Sequence, residues 1–183
     1  MLNKEVSNII QERKSIYPNE FNGKKISDNI ILELLNNANF APTHKMTQPW
    51  FFKVYSDNSK LDLLKEIFIV NDMNDDRKKK LENNFDKSSH IICICLKLNK
   101  DILPEWEEIA ATSMAVQNLW ISCVDSKIGG YWSTPKYISK LSNFLNLKTT
   151  EQCLGFFYLG CYDVLNPRNK KRIDINNKIE WYK

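Results

Sequence analysis

The segment that most limits the possible folds is the apolar stretch at residues 109–124, IAATSMAVQNLWISCV. Its apolar side chains fall on nearly every side of a helix instead of forming one stripe. A helix of this kind belongs at the centre of a fold or across a large subunit interface. Pro104 suits the first turn of this helix, and the glutamates at positions 105, 107 and 108 suit its N-terminal dipole. We therefore expect a long helix that other elements surround.

Other apolar patterns predict strands and amphipathic helices around that helix. Ile91–Leu98 and Cys153–Cys161 are continuous apolar runs, which are typical of buried strands, and Trp50–Tyr55 predicts a third strand. Helical spacing predicts helices over Leu2–Arg13, from Ser27 through Ala38, from Ser56 through Phe68, over Asp72–Phe85, and from Thr134 and Pro135 through Leu141. Because helices and strands alternate without strict βαβ order, we predict an α+β or mixed α/β fold with helices around a small sheet.

The length and composition indicate one globular domain over residues 1–183. A chain of 183 residues, 43% hydrophobic and 26% charged, is long enough for a substantial core and shows no linker or repeat. No run approaches the length of a membrane span, and the first residues lack a secretory apolar region, so we expect a cytoplasmic protein with no membrane partner. The net charge of +4 is spread along the chain, which disfavours nucleic acid as a partner.

Cysteine and histidine usage argues against a metal centre. The cysteines are odd in number and lie in apolar runs, which predicts buried free thiols in a reducing compartment: Cys93, Cys95, Cys123, Cys153 and Cys161. Cys93 and Cys95 would share one face of a strand, but only His44 and His90 are available as further soft ligands. We therefore predict no metal site.

The glycines exclude two common nucleotide-binding loops. The five glycines of the chain allow no G-x-G-x-x-G sequence. Gly155 and Gly160 have P-loop spacing, but Cys161 and Tyr162 follow where a lysine and a serine or threonine belong. Neither a dinucleotide-binding Rossmann unit nor an ATPase loop is therefore expected.

Two short polar segments are candidates for ligand binding. Residues Ala41–Trp50, APTHKMTQPW, join a predicted helix to a predicted strand, with a proline near each end and His44 between them. On spacing alone a simple connector is favoured over a ligand-binding loop. Arg13-Lys14-Ser15, at the end of the first helix, could hold a phosphate or could be cations that a helix C-terminus favours. In isolation the second interpretation is preferred.

Four segments occur in one order along the chain: Arg13-Lys14-Ser15, Ala41–Trp50, Gly129–Ser133 and Leu154–Gly160. In this order and spacing the sequence resembles the FMN-dependent nitroreductase family, in particular its short, minimal NAD(P)H nitroreductase members, over nearly the whole chain. The resemblance implies a nitroreductase-like α+β fold in which helices wrap a mostly antiparallel sheet. It also implies a homodimer that binds FMN at the subunit interface, with the apolar helix in the dimer core. A C-terminal arm that ends in Ile179–Tyr182 would be exchanged between subunits.

The resemblance also implies which residues bind FMN, and these form three groups. They are Arg13, Lys14 and Ser15 with Lys170 and Arg172 at the phosphate or ribityl chain; Thr43, His44 and Met46 at the flavin of the neighbouring chain; and Trp132, Ser133 and Thr134 close to the isoalloxazine ring. An FMN phosphate carries close to two negative charges, which paired basic side chains and hydroxyl donors stabilise.

Two positions depart from the family pattern. Met46 stands where many members have an asparagine that hydrogen-bonds the flavin, and Tyr17 stands where many have a lysine or arginine near flavin N1 and C2=O. A cation near N1 stabilises the anionic reduced flavin and raises its potential. Its absence would slow hydride acceptance unless Lys14 or Lys45 substitutes. The short chain also lacks the helical insertion that narrows the substrate cleft of longer members.

The activity implied is that of an FMN-dependent NAD(P)H oxidoreductase. Hydride would pass in ping-pong fashion from NADH or NADPH to flavin N5, and then to a nitroaromatic, a quinone or a similar acceptor. The cofactor carries this chemistry, which agrees with a sequence that shows no catalytic triad or carboxylate pair. The alternative is a non-catalytic FMN-binding protein for storage, sensing or regulation. A flavoenzyme of different chemistry, such as dehalogenation or ring oxidation, also stays open.

Overall fold

The computed structural model describes residues 2–164 and 170–183. These residues contain a four-stranded antiparallel sheet with the strand order β1-β2-β4-β3. The strands are β1 Trp50–Ser56, β2 His90–Lys97, β3 Ile128–Ser133 and β4 Glu151–Cys161. The expected antiparallel sheet is confirmed, together with the three predicted strands. The edge strand β3 was not predicted.

The described residues form five α-helices, each on a segment for which the sequence predicts a helix. They are α1 Lys4–Glu12, α2 Asp28–Asn39, α3 Asp57–Val70, α4 Asp75–Lys87 and α5 Glu105–Ile121. The Asn3 side chain begins α1 by accepting hydrogen bonds from the N–H groups of Glu5 and Val6. At the start of α3, Ser56 forms a reciprocal capping box with Ser59.

The prediction of a helix from Thr134 and Pro135 through Leu141 is wrong. Only a short 3-10 helix, Ile138–Leu141, forms in this region, and Tyr137 is its N-cap. Leu141 is buried and anchors the turn, whereas Ser139 and Lys140 remain exposed. Tyr137 and Ile138 are partly buried against the same core layer, so a short turn already packs the apolar side chains of this segment without a longer α-helix.

The sheet separates two layers of hydrophobic core. α2 and α5 cover one face, where Ala115 and Leu119 of α5 pack with Ile92 and Phe157 of the sheet. α3 and the turn at Leu141 cover the other face. The predicted long helix is confirmed as α5, and six of its 17 residues are buried. Trp106 and Met114 on the same helix are exposed, so a single chain covers only part of α5.

Gly155 allows the two strands at the β3 edge to approach closely. Its φ angle is +145°, and a Cβ atom at this position would lie 2.2 Å from the Ser133 carbonyl oxygen. No other residue type fits both constraints without strain. The glycine therefore fixes where the end of β3 lies on β4.

The cysteines are free thiols, as predicted. Cys93, Cys95 and Cys153 are buried in the core layer beneath α3. Burial raises the pKa of the Cys123 thiol to about 12. In residues 2–164 and 170–183, no cluster of His, Cys, Asp and Glu side chains has the arrangement of a metal site. None of the helices there has the length and apolar character required to cross a membrane.

Candidate cofactor site

A cavity of about 200 Å³ lies where the end of α1, the end of α5 and β3 meet. Arg13 and Lys14 line it from the chain that leaves α1, Trp120 from α5, and Lys170 from the C-terminal segment. Gly129 and Gly130 line it from β3. We call this cavity the cationic pocket. The structure thus brings together three residues that the sequence assigns to a phosphate: Arg13, Lys14 and Lys170.

The segment that carries Arg13 and Lys14 is fixed against β3 by a hydrogen bond and by packing. The Ile16 N–H donates to the Gly130 carbonyl oxygen at 3.1 Å, and the Ile16 side chain is buried in the core. A Cβ atom on Gly129 would lie 2.5 Å from the Cβ atom of Ile16, so only glycine allows this approach. The local sequence therefore holds two cations beside the sheet edge.

Positive charges are crowded around the pocket, and the carboxylates of Glu12 and Asp125 also line it. Burial lowers the pKa of the Arg13 guanidinium, and the positive charge of Arg172 lowers it further. Desolvation, followed by the nearby positive charges of Lys14 and Arg13, lowers the pKa of Lys170, and the negative charge of Glu12 partly opposes this shift. Lys170 donates through Nζ to the Gln11 carbonyl oxygen at the end of α1. Within the part of the chain that the structure describes, none of these cations forms an ion pair with a carboxylate.

Three buried N–H donors of the described residues have no hydrogen-bond acceptor: Arg13 Nη1, Trp120 Nε1 and Trp132 Nε1. A buried donor without a partner costs roughly 1–3 kcal/mol. Two of the three belong to residues that line the cationic pocket, and the third lies on β3. A cation-rich pocket with unsatisfied donors is suited to an anionic ligand that is rich in acceptor oxygens.

The loop at residues 41–50 has a strained backbone. It joins the end of α2 to β1, as predicted, and contains a short 3-10 helix, His44–Met46. Lys45, Met46 and Gln48 have φ angles of 48°, 55° and 41°, in the left-handed region that favours glycine. The Thr43 hydroxyl oxygen accepts a hydrogen bond from the Gln48 N–H at 3.1 Å, which helps to hold this conformation. Such strain is typical of functional sites.

The polar side chains of this loop lie at a second cavity of about 410 Å³. Thr43 and His44 line it together with Trp106, Glu107 and Met114 of α5. His44 Nδ1 lies 2.7 Å from Glu107 Oε2, although the His44 side chain is 58% exposed. We call this the loop cavity. It shares no lining residue with the cationic pocket.

The remaining predicted site residues lie outside both cavities. Ser15 is half-buried beside Lys14, and Arg172 is exposed and donates through Nη1 to the Lys171 carbonyl oxygen at 2.9 Å. Trp132 and Ser133 end β3, and Trp132 packs against the core layer that α5 covers. Thr134 and Met46 are exposed.

Sequence reasoning missed Trp120 as a site residue. It belongs to the apolar helix and has the pattern of a core residue. Its contact with Arg13 joins the end of α5 to the end of α1, and no local spacing relates two such positions. Only a search for aromatic residues near a cationic segment in the folded chain would find it.

An antiparallel sheet with helices on both faces and a cation-lined pocket at its edge can be compared with known protein families. The model of the nitroreductase family matches residues 10–161. The chain therefore belongs to the nitroreductase family, a family of oxidoreductases, and the predicted resemblance is confirmed.

Individual relatives agree with this assignment. The chain is 25% identical over 179 residues to "Putative NAD(P)H nitroreductase YfhC" of Bacillus subtilis (strain 168), covering 93% of this chain and 91% of that protein. The fold is similar to that of a nitroreductase-like family protein from Bacillus cereus, with a TM-score of 0.86, 24% identity, and coverage of 100% of this chain and 98% of that chain. It is also similar to a nitroreductase with bound FMN from Bacteroides fragilis NCTC 9343, with a TM-score of 0.73, 14% identity, and coverage of 99% and 100%.

Proposed function

We propose that this protein is an FMN-dependent NAD(P)H oxidoreductase that binds the FMN phosphate in the cationic pocket. The observation that carries the proposal is the meeting of Arg13, Lys14 and Lys170 at one pocket, where none of the three forms a salt bridge with a described carboxylate. Glu12 and Asp125 also line the pocket, but the three cations outnumber them. A phosphate with close to two negative charges would relieve the repulsion and accept charge-assisted hydrogen bonds. The FMN-bound B. fragilis relative and the name of the B. subtilis relative support the same cofactor and donor class.

The predicted residues would divide the work of holding FMN. Arg13, Lys14 and Ser15, with Lys170 and Arg172, would bind the phosphate end. Trp132, Ser133 and Thr134 would lie beside the flavin ring, and the unpartnered Trp132 Nε1 is a donor that a flavin oxygen or nitrogen would satisfy. The chemistry that bound FMN supplies is hydride transfer at N5, from NADH or NADPH to a nitroaromatic, quinone or similar acceptor in a ping-pong sequence.

The surface of the chain supports a homodimer in this proposal. α1 buries none of its residues, and apolar side chains lie uncovered on or next to it, including Leu2, which is 90% exposed. Trp106 and Met114 of α5 and Trp181 of the C-terminal segment are also exposed. Apolar surface of this extent is typical of subunit interfaces. In the dimer, Thr43, His44 and Met46 would reach the flavin of the partner subunit, and the Ile179–Tyr182 arm would cross between subunits.

One observation favours the non-catalytic alternative. Tyr17 stands where a cation near the flavin is expected, and its ring packs against Tyr131 of β3 with ring centres 4.9 Å apart. The aromatic contact fixes this side chain without supplying a charge. An FMN-binding protein whose flavin is reduced slowly, with a role in storage or sensing, would have this property. The free cysteines support a cytoplasmic location for either role.

Anaerobic reduction of the bound flavin tests the proposal. Purified protein is saturated with FMN, and NADH or NADPH is added in the absence of oxygen. The absorbance of the oxidised flavin is followed for roughly 1 min after each addition, which is long enough for an enzyme of ordinary turnover. We expect the absorbance to bleach with at least one donor and to return when a quinone is added. Bound FMN that stays oxidised with both donors would support the non-catalytic alternative. Failure to bind FMN would contradict both roles.

A further inference from the structure

A tryptophan to which the proposed function gives no role lies against the main phosphate-binding arginine. Trp120 stands in the last turn of α5, and the Arg13 Cζ atom lies 4.4 Å from the centre of its ring. The indole is also in edge-on contact with Phe157 of β4, with ring centres 5.3 Å apart and ring planes at 88°. Phe157 is fully buried in the core. Trp120 is therefore attached to the rigid centre of the fold while one face meets the guanidinium.

We infer that Trp120 is a positioning residue for the cofactor phosphate, and that its ring face holds the Arg13 guanidinium in the cationic pocket without neutralising its charge. The negative face of an indole attracts a cation, most strongly where water is excluded. Arg13 is partly buried, and its Nη1 atom is out of contact with solvent. A carboxylate in the place of the indole would also fix the arginine, but it would compete with the phosphate for the same charge. This inference rests on the proposed phosphate role of Arg13.

The pattern of the pocket favours this assignment. Lys14 and Lys170 are exposed lysines with long flexible stems, whereas Arg13 is the partly buried cation of the group. A guanidinium binds phosphate through a planar fork, so its orientation matters more than that of an ammonium group. In the part of the chain that the structure describes, the Trp120 ring is the aromatic face that meets Arg13. The residue that orients the guanidinium would therefore determine how strongly the pocket prefers a ligand with a phosphate over one without it.

A competing role for Trp120 is direct hydrogen bonding, since its Nε1 donor is buried without an acceptor. A phenylalanine at position 120 distinguishes the two roles, because it could hold Arg13 by its ring face but could not donate a hydrogen bond. Trp120→Phe keeps an aromatic face for Arg13 and the contact with Phe157, but removes the N–H. Trp120→Leu removes both the aromatic face and the N–H while keeping an apolar side chain.

The test compares the dissociation constants of FMN and riboflavin, which differ only in the phosphate. We expect Trp120→Leu to weaken FMN binding roughly tenfold, about 1.4 kcal/mol, and to change riboflavin binding by less than roughly twofold. Trp120→Phe should restore FMN binding to within roughly threefold of the wild type. In an Arg13→Ala background, Trp120→Leu should add almost nothing, because it acts through Arg13. Thermal unfolding of each variant without ligand measures its fold separately.

Three outcomes would overturn the inference alone. The first is an equal loss of FMN and riboflavin affinity in Trp120→Leu, which would indicate general damage to the site. The second is a phenylalanine variant as weak as the leucine variant, which would assign the effect to the N–H. The third is a full Trp120→Leu effect in the absence of Arg13. Wild-type protein that binds FMN no more tightly than riboflavin would instead overturn the proposed phosphate pocket, and this inference with it.

Discussion

The cationic pocket and the loop cavity are built in opposite ways. The pocket lies between rigid elements, the ends of α1 and α5 and the strand β3, and two of its buried donors, Arg13 Nη1 and Trp120 Nε1, have no hydrogen-bond acceptor in the described chain. The loop cavity is formed by a strained backbone, but its polar groups are paired: Thr43 with Gln48, and His44 with Glu107. The apolar side chains that line the loop cavity are exposed, Trp106 by 67% and Met114 by 39%.

This difference indicates what completes each region. Unpaired donors and crowded cations are relieved by an anion, so the pocket requires a ligand. Exposed apolar side chains next to satisfied polar groups are relieved by burial, so the loop cavity requires a covering surface. A homodimer that carries FMN at its interface would supply both. In this proposal the same chain would present a ligand half-site and a partner half-site in different places.

The largest expected change in FMN affinity comes from a substitution in the cationic pocket that leaves the loop cavity unchanged. Arg13→Ala removes the partly buried guanidinium, and hydrogen bonds to charged groups contribute roughly 1.5–3 kcal/mol each. We expect FMN affinity to fall roughly thirtyfold to a hundredfold, about 2–3 kcal/mol. Titration of FMN fluorescence quenching measures this change.

A matched control separates the pocket from net charge. Arg77→Ala removes the same charge from an exposed position in the first turn of α4, away from the pocket. Its FMN affinity should stay within roughly twofold of the wild type, because exposed charges at long range are screened. An Arg13→Ala protein with an unchanged dissociation constant would contradict the phosphate assignment.

A strand could be predicted from the sequence when both of its faces are buried. β2 and β4 are covered on both faces, so their sequences are continuous apolar runs that are visible without a structure. β3 reads IGGYWS, and its two glycines hide any alternation. These glycines are required by tertiary contacts, Gly129 with Ile16 and Gly130 with Phe157, which a local pattern does not contain.

The candidate site was predicted only in part for a similar reason. Arg13, Lys14 and Lys170 came from the resemblance to a family, and the structure places all three at one cavity. Trp120 could not be found, because its role depends on a contact between the ends of two helices. The strain in the loop was also invisible, since Lys45, Met46 and Gln48 are residue types that do not mark left-handed backbone.

A smaller effect concerns the pH dependence of the pocket. Burial, followed by the charges of Lys14 and Arg13, lowers the pKa of Lys170 in the free protein. A bound phosphate would raise this pKa, so the complex holds more protons than the free protein in alkaline solution. FMN affinity should therefore fall as pH rises through the lowered pKa of Lys170 toward the ordinary lysine value of about 10.4, a range in which the phosphate itself stays dianionic.

Two variants check this assignment. We expect a loss of roughly threefold in the wild type over that pH range and a flatter profile in Lys170→Gln, which starts weaker. Lys171→Gln removes a neighbouring exposed charge and should keep the wild-type slope. A slope that is the same in Lys170→Gln and the wild type would show that another group titrates.

The smallest expected effect tests the loop cavity, and two adjacent glutamates make it a matched comparison. Glu107 pairs with the exposed His44, whereas Glu108 is only 1% exposed and accepts hydrogen bonds from the backbone and side-chain nitrogens of Asn99, both at 2.7 Å. Exposed polar pairs of this kind contribute roughly 0.2–1 kcal/mol, so Glu107→Gln should lower the free energy of unfolding by about 0.5 kcal/mol. Glu108→Ala leaves two partly buried donors of Asn99 unpaired and should cost about 2 kcal/mol. Urea unfolding measures both free energies. A loss of stability in Glu107→Gln as large as that in Glu108→Ala would show that the His44–Glu107 contact stabilises the single chain as strongly as a core contact does. That outcome would contradict the proposed role of the loop cavity as a half-site for a partner.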